Sequence, residues 1–213
     1  MTNVARYVLF AVLVLSGCQS EPSNTSYSNE SHQTSISDSV ATAPPDDPTV
    51  PDTPGEAPVY TVVVLGNSLA AGYGIDAEDA FPALIEQKAR DLGLPVRVIN
   101  AGVSGDTSAG GLRRVGWLLQ TRIDLLVLEL GGNDGLRGID LDDTYQNLLT
   151  IVNQTREAYP EVTVVIAGMQ VPPNLGPDYT RAFADLFPRL SQETGATLIP
   201  FLLEGVGGDP SLN

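Results

Sequence analysis

The chain has 213 residues and a formal net charge of -15, with 26 acidic residues against 11 lysines and arginines. This negative balance argues against a nucleic-acid partner and against electrostatic docking on an anionic membrane surface. The single cysteine, Cys18, excludes an internal disulfide.

The first eighteen residues have the pattern of a secretory signal. Arg6 precedes an apolar run over residues 7–15, which is too short to span a bilayer. Leu15-Ser16-Gly17-Cys18 resembles the bacterial lipobox, which implies cleavage before Cys18 and lipid on its thiol. An ordinary signal with an incidental cysteine and an uncleaved anchor are the alternatives. We expect an exported lipoprotein anchored in the bacterial cell envelope, in the periplasm or outer membrane.

Residues 19–58 are expected to form a disordered tether. They are rich in Ser, Thr, Asn, Asp and Pro, so they cannot bury enough apolar surface to offset the entropy of ordering. The only histidine, His32, lies in this segment, where a histidine is far more often solvated than catalytic. Residues 59–213 then remain as one domain.

Beyond residue 58, apolar runs alternate with amphipathic segments. We predict strands over residues 60–65, 96–100, 125–130, 162–167 and 197–202, and helices over residues 80–92, 108–119, 141–159 and 179–193. Strands this apolar imply a parallel sheet covered by helices on both faces, with right-handed crossovers. The predicted fold is therefore an α/β three-layer α/β/α sandwich with a five-stranded parallel sheet.

Gly-rich and polar segments follow the first three predicted strands, at residues 66–68, 101–107 and 131–135. Ligands bind beyond the carboxyl ends of such strands. A hydrolase acting through serine needs a nucleophile, donors for the oxyanion, and a base. Ser68 is the candidate nucleophile at the start of a helix, and its alternative role is to cap that helix.

Two further residues could supply oxyanion donors. Gly105 lacks a Cβ and can bring its backbone N–H close to a substrate, and Asn133 can offer its side-chain amide. The alternatives are a plain tight turn at residues 102–105 and a turn at residues 133–135 whose Asn and Gly adopt positive φ. The expected convergence of three such loops on one sheet edge favours the catalytic interpretation.

Three segments together resemble the SGNH (GDSL) hydrolases. They are Gly66-Asn67-Ser68-Leu69, residues 100–108 (NAGVSGDTS) and residues 129–138 (ELGGNDGLRG), and the likeness is greatest to bacterial arylesterases and the thioesterase/lysophospholipase branch. The resemblance implies a flavodoxin-like fold, Ser68 as nucleophile, and an oxyanion hole formed by Ser68, Gly105 and Asn133. It also implies hydrolysis of a small-molecule carboxylic ester or thioester through an acyl-enzyme, with no metal and no cofactor.

The chain departs from the family pattern at two places. Asn67 stands where the motif has Asp, and it could hold the turn by hydrogen bonds without a negative charge. The Asp-x-x-His block that supplies the base is absent, since Asp209 has no His three residues later. We therefore expect a fragment with a truncated C-terminal helix that hydrolyses esters poorly or not at all, and a complete parent that is an esterase.

Two other functions stay open at this point. One is a polysaccharide O-acetylesterase, which an exported location would suit. The other is a non-catalytic lipoprotein that binds acyl or glycan ligands with the same fold. The sequence leaves the oligomeric state and the preferred acyl chain undecided.

Overall fold

Five strands and six α-helices alternate along residues 59–207, which are the residues that the computed structural model describes. The predicted signal with Cys18, the tether with His32, and Asp209 lie outside these residues. No helix within residues 59–207 is long and apolar enough to cross a membrane.

The strands are β1 Tyr60–Gly66, β2 Val96–Gly102, β3 Leu125–Glu129, β4 Thr163–Ala167 and β5 Thr197–Ile199. The helices are α1 Ser68–Ala71, α2 Phe81–Asp91, α3 Ser108–Leu118, α4 Gly132–Leu136, α5 Leu141–Ala158 and α6 Pro177–Thr194.

The strands form one parallel sheet in the order β2-β1-β3-β4-β5. The predicted α/β fold with a five-stranded parallel sheet is confirmed. Its register matters for the site, because Gly66 at the end of β1 pairs with both Gly102 of β2 and Glu129 of β3. Three strands therefore end at the same level of one sheet edge.

The two faces of the sheet are covered unequally. Alternate residues of the central strands, such as Val63, Leu65 and Leu126, pack in a large cluster with side chains of α3, α5 and α6. The opposite residues form a smaller cluster around Val62 and Val64, to which α1 and α2 contribute among the described residues. Burying a side chain of this size is worth about 2 kcal/mol, so most of the described core stability comes from the first face. The expected truncation of a C-terminal helix stays a prediction.

The helix and strand bounds differ from the sequence prediction at a few ends. β5 stops at Ile199 rather than at residue 202, and Pro200 follows it. Proline has no N–H to continue a strand ladder, which accounts for the early end. The turn alternative for residues 133–135 is wrong: Gly131 carries the positive φ, 100°, and residues 132–136 form α4.

Candidate functional site

The three predicted loops lie together at the carboxyl edge of the sheet. The Val103 N–H donates to the Gly66 carbonyl over 3.1 Å, which joins the loop after β2 to the end of β1. The Asn133 side-chain amide donates to the Asp106 carbonyl over 2.8 Å, which joins the loop after β3 to the loop after β2. The structure therefore brings the segments of Ser68, Gly105 and Asn133 to one place, as the sequence predicts.

Ser68 is the first residue of α1, and Asn67 is the residue that caps this helix. The Asn67 Oδ1 accepts from the Leu69 N–H over 3.0 Å. The alternative in which Ser68 caps the helix is wrong, because its hydroxyl makes no bond to the helix backbone and lies 3.4 Å from Asn67 Oδ1. Ser68 is half-buried.

Asn67 is itself held by a buried carboxylate at the end of β3. Its Nδ2 donates to Glu129 Oε1 over 2.7 Å, and its backbone N–H donates to Oε2 over 2.9 Å. Glu129 has no exposed surface. The expectation that Asn67 holds the turn by hydrogen bonds is confirmed. This role of Glu129 was not predicted from the sequence, although an acidic residue at the end of an apolar strand is a signal that could have indicated it.

Burial determines the ionisation of Glu129. Desolvation raises the pKa of its carboxyl from the ordinary 4.5 to about 7, while hydrogen bonds from Asn67 and from the Ala70 backbone act in the opposite direction. Desolvation wins because it disfavours the charged form of a group that has lost all contact with water. The turn before Ser68 thus rests on a carboxyl group that titrates near neutral pH.

Gly105 lies at the exposed surface of the loop after β2, with a φ of 80°. This left-handed conformation strains any residue with a Cβ, so glycine is required here. Its carbonyl accepts from Arg137 Nη2 over 2.9 Å. Within residues 59–207, neither the Gly105 N–H nor the Ser68 N–H donates a hydrogen bond. Two backbone donors are therefore available to a ligand at this edge.

Asn133 is half-buried on α4, and Asp134 beside it anchors that short helix. The Asp134 carboxylate accepts from the Ser108 N–H over 2.8 Å and from the Ser108 hydroxyl over 2.5 Å. Since the Asp106 carbonyl takes one hydrogen of the Asn133 amide, the other hydrogen is left for a ligand. The Asp134–Ser108 pair was not predicted from the sequence, because its members are separated by 26 residues.

Residues 59–207 offer no histidine that could act as the general base of a serine hydrolase. These residues contain no histidine, since the chain's one histidine is His32. Within the same range, no group of three or more His, Cys, Asp and Glu side chains is arranged to hold a metal ion. Within the described residues, the sheet edge thus presents a serine hydroxyl and nearby N–H donors.

Comparison with known proteins gives consistent matches over this region. Residues 64–212 match the model of the GDSL-like lipase/acylhydrolase family. The chain is 42% identical over 154 residues to esterase TesA of Pseudomonas aeruginosa, covering 72% of this chain and 76% of that protein. It is 40% identical over 147 residues to thioesterase 1/protease 1/lysophospholipase L1 of Escherichia coli K12, covering 68% of each.

A solved structure has the same architecture. The crystal structure of AlinE4, an SGNH-hydrolase family esterase, superposes with a TM-score of 0.69 at 39% sequence identity. The match covers 74% of this chain and 84% of the AlinE4 chain. The similarity thus extends over most of both chains.

Proposed function

The chain belongs to the GDSL-like lipase/acylhydrolase family and is an SGNH-type serine ester hydrolase, and on this basis we propose that Ser68 is its nucleophile, with an oxyanion hole formed by Ser68, Gly105 and Asn133. The observation that carries the assignment is the pair of unbonded N–H groups of Ser68 and Gly105 within the described residues, on loops that leave aligned strand ends. Acyl transfer needs such donors, fixed before the reaction begins.

The proposed chemistry proceeds in two steps. The Ser68 Oγ attacks the ester or thioester carbonyl carbon while a base takes the hydroxyl proton. The two N–H groups and the Asn133 amide hold the negative oxygen, and each donor is worth roughly 3 kcal/mol in the transition state. Collapse of the tetrahedral intermediate expels the alcohol or thiol, which takes the proton from the base. Water then hydrolyses the acyl-enzyme by the same route.

Small-molecule esters or thioesters are the substrate class. The names of the relatives, an esterase and a thioesterase/lysophospholipase, support this class. These relatives do not favour a polysaccharide O-acetylesterase or a non-catalytic binding lipoprotein. The preferred acyl chain and leaving group can be measured with a panel of esters that differ in these two parts.

The mechanism also requires a general base, which the resemblance to the family assigns to an Asp-x-x-His sequence that residues 1–213 do not contain. The hydroxyl proton of the nucleophile needs an acceptor. The only histidine of residues 1–213, His32, lies in the polar segment of residues 19–58, where a histidine is far more often solvated than catalytic. Without that base, residues 1–213 should hydrolyse esters several orders of magnitude more slowly than the complete protein. Recovery of the complete reading frame tests this directly, and a frame that continues without such a sequence contradicts it.

The location of the enzyme is proposed to be the bacterial cell envelope. A basic residue, a short apolar run and the lipobox-like sequence ending at Cys18 support an exported lipoprotein. A lipid anchor of more than one acyl chain on Cys18 would hold the enzyme stably at a membrane of the periplasm or at the outer membrane.

The nucleophile assignment is tested with Ser68→Ala in the protein encoded by the complete reading frame. Turnover of short p-nitrophenyl or naphthyl esters should fall by roughly three orders of magnitude or more, because no other group can form the acyl-enzyme. Ser104→Ala is the matched control: this serine is exposed on the neighbouring loop, and the variant should keep its activity. Equal turnover by Ser68→Ala and the wild type would overturn the assignment.

A further inference from the structure

Arg114, in the second turn of α3, reaches the ends of two strands. Its Nη1 donates to the Ala101 carbonyl over 2.7 Å, and its Nη2 donates to the Gly66 carbonyl over 3.0 Å. Ala101 is the penultimate residue of β2 and Gly66 is the last residue of β1. A guanidinium carries a permanent charge and presents its donors in a rigid plane. One side chain therefore ties together the two strand ends that lead into the loops of Ser68 and Gly105.

The third bond of Arg114 reaches the loop itself. Its Nε donates to Asp106 Oδ2 over 2.8 Å, and the Asp106 side chain is only 12% exposed. Asp106 directly follows Gly105, and its carbonyl accepts the Asn133 amide hydrogen. Arg114 thus acts directly on the Gly105 loop and, through Asp106, on the orientation of Asn133.

The surface of α3 is shaped to receive the Asp106 carboxylate. A Cβ on Gly110 would lie 1.5 Å from Asp106 Oδ1, so only glycine leaves room for it. Gly110 and Arg114 are four residues apart and share one face of the helix. The same face therefore provides both the space for the carboxylate and the cation that binds it.

We propose that Arg114 is a positioning residue for ester hydrolysis: its guanidinium fixes the turn before Ser68 relative to the loop of Gly105 and, through Asp106, orients the Asn133 amide. The proposal rests on the proposed function, since it assigns these three residues to the nucleophile and oxyanion hole. Arg114 itself touches no reacting atom.

A positioning role predicts a particular kinetic effect. The two strand ends set how far the Ser68 hydroxyl lies from the Gly105 N–H, and a misplacement of about 1 Å can cost about 100-fold in rate. The oxyanion donors bind the transition state more strongly than the substrate. Loss of Arg114 should therefore lower kcat and leave KM nearly unchanged.

The first test compares Arg114→Ala with Arg113→Ala in the complete protein. Arg113 is the exposed neighbour on the same helix and makes no hydrogen bond or ion pair within the described residues. The kcat of Arg114→Ala on a p-nitrophenyl ester should fall about 10- to 100-fold with KM nearly unchanged, and Arg113→Ala should match the wild type. A folded Arg114→Ala with the kcat of Arg113→Ala overturns the proposal.

Arg114→Lys decides the question if the alanine variant does not fold. Lysine keeps the charge but cannot serve three acceptors in one plane, so a folded Arg114→Lys should still lose kcat. In the alanine variant, millimolar methylguanidinium should restore part of the lost kcat, because it can occupy the space that the arginine side chain leaves. Wild-type kcat in Arg114→Lys, or rescue of the melting temperature without rescue of kcat, contradicts the positioning role.

Measuring Ser68→Ala alongside separates this proposal from the proposed function. If Ser68→Ala stays active, the nucleophile assignment fails and the positioning role fails with it. If Ser68→Ala is inactive while Arg114→Lys and Arg114→Ala keep wild-type kcat, the nucleophile stands and only the positioning role is lost.

Discussion

Asn67, which directly precedes the proposed nucleophile Ser68, is hydrogen-bonded to the buried carboxyl group of Glu129. The SGNH motif has Asp at this position, and an Asp facing Glu129 would have to share a proton with it, because like charges at hydrogen-bond distance cannot both ionise. Here Asn67 donates its amide hydrogen to Glu129 Oε1 over 2.7 Å instead. The turn keeps its hydrogen bonds, and only one ionisable group remains at this contact.

The raised pKa of Glu129 predicts a pH-dependent stability. In the unfolded chain the carboxyl ionises near 4.5, whereas its pKa in the folded protein is about 7. The folded state therefore binds more protons between these values. This contribution to stability is fully present below about pH 4.5 and is lost as the pH rises through about 7. The difference corresponds to about 3 kcal/mol.

Glu129→Gln should remove that part of the pH dependence, because its amide stays neutral. The measurement is the free energy of unfolding by urea across this pH range. Glutamine also loses an acceptor for an Asn67 donor, so the slope with pH is the readout, and the absolute stability is expected to fall. The exposed Glu157→Gln is the control and should keep the wild-type slope. A wild-type slope in Glu129→Gln would show that Glu129 does not titrate in this range.

At the scale of elements, α1 packs directly on the end of β2. The Asn100 amide donates to the Ala70 carbonyl over 2.7 Å. A Cβ on Gly102 would lie 2.3 Å from the Ala71 nitrogen and 2.7 Å from the Ala70 carbonyl carbon. Backbone atoms cannot move aside as a flexible side chain can. The absence of a side chain at Gly102 therefore allows the helix that begins with Ser68 to lie against the sheet.

Gly102→Ala should destabilise the protein by about 1 to 3 kcal/mol, because the new methyl group forces α1 away from β2. It should also lower ester turnover, since α1 carries Ser68. Gly116→Ala is the matched control, because a Cβ there meets nothing within 4 Å on the exposed face of α3. Thermal unfolding should show Gly116→Ala to be more stable than the wild type by up to about 1 kcal/mol. Equal melting temperatures for the two variants would contradict this account.

At the scale of the whole molecule, the hydrophobic clusters on the two faces of the sheet are formed with different helices. The large cluster joins side chains of β1, β3 and β4 to side chains of α3, α5 and α6. The small cluster depends on α1 and α2 within residues 59–207. The site lies at the edge where β1, β2 and β3 end, so it is supported from the large cluster through β1 and β3.

The proposed envelope location is tested by metabolic labelling of the whole protein. Cells that express the protein and are fed radioactive or clickable palmitate should incorporate label into it, because we propose that the lipobox-like sequence directs acylation of Cys18. Cys18→Ala should lose the label and leave the membrane fraction. Ser16→Ala is a suitable control, since small residues are what this position requires. Label that persists in Cys18→Ala would refute lipidation.

Much of this architecture was predictable from the sequence because its elements are long and regular. The apolar runs of β1 and β3 and the amphipathic patterns of α2, α3, α5 and α6 were located within a few residues. The five-residue helix α4 was missed because one and a half turns carry too little periodicity. The alternative considered for residues 133–135, a turn with positive φ at Asn133 and Gly135, is wrong because Gly131 carries the positive φ.

The sequence by itself determined the family, the order of strands and helices, and the candidate residues Ser68, Gly105 and Asn133, because local composition and motif spacing carry that information. Only the tertiary structure decided that Asn67, and not Ser68, caps α1. It also decided that Glu129 and Arg114 hold the loops from 62 and 48 residues away along the chain. The physical reason is that hydrogen bonds between distant residues, and the burial that shifts a pKa, depend on which segments the folded sheet brings together, and a local sequence pattern does not say which distant side chains will meet.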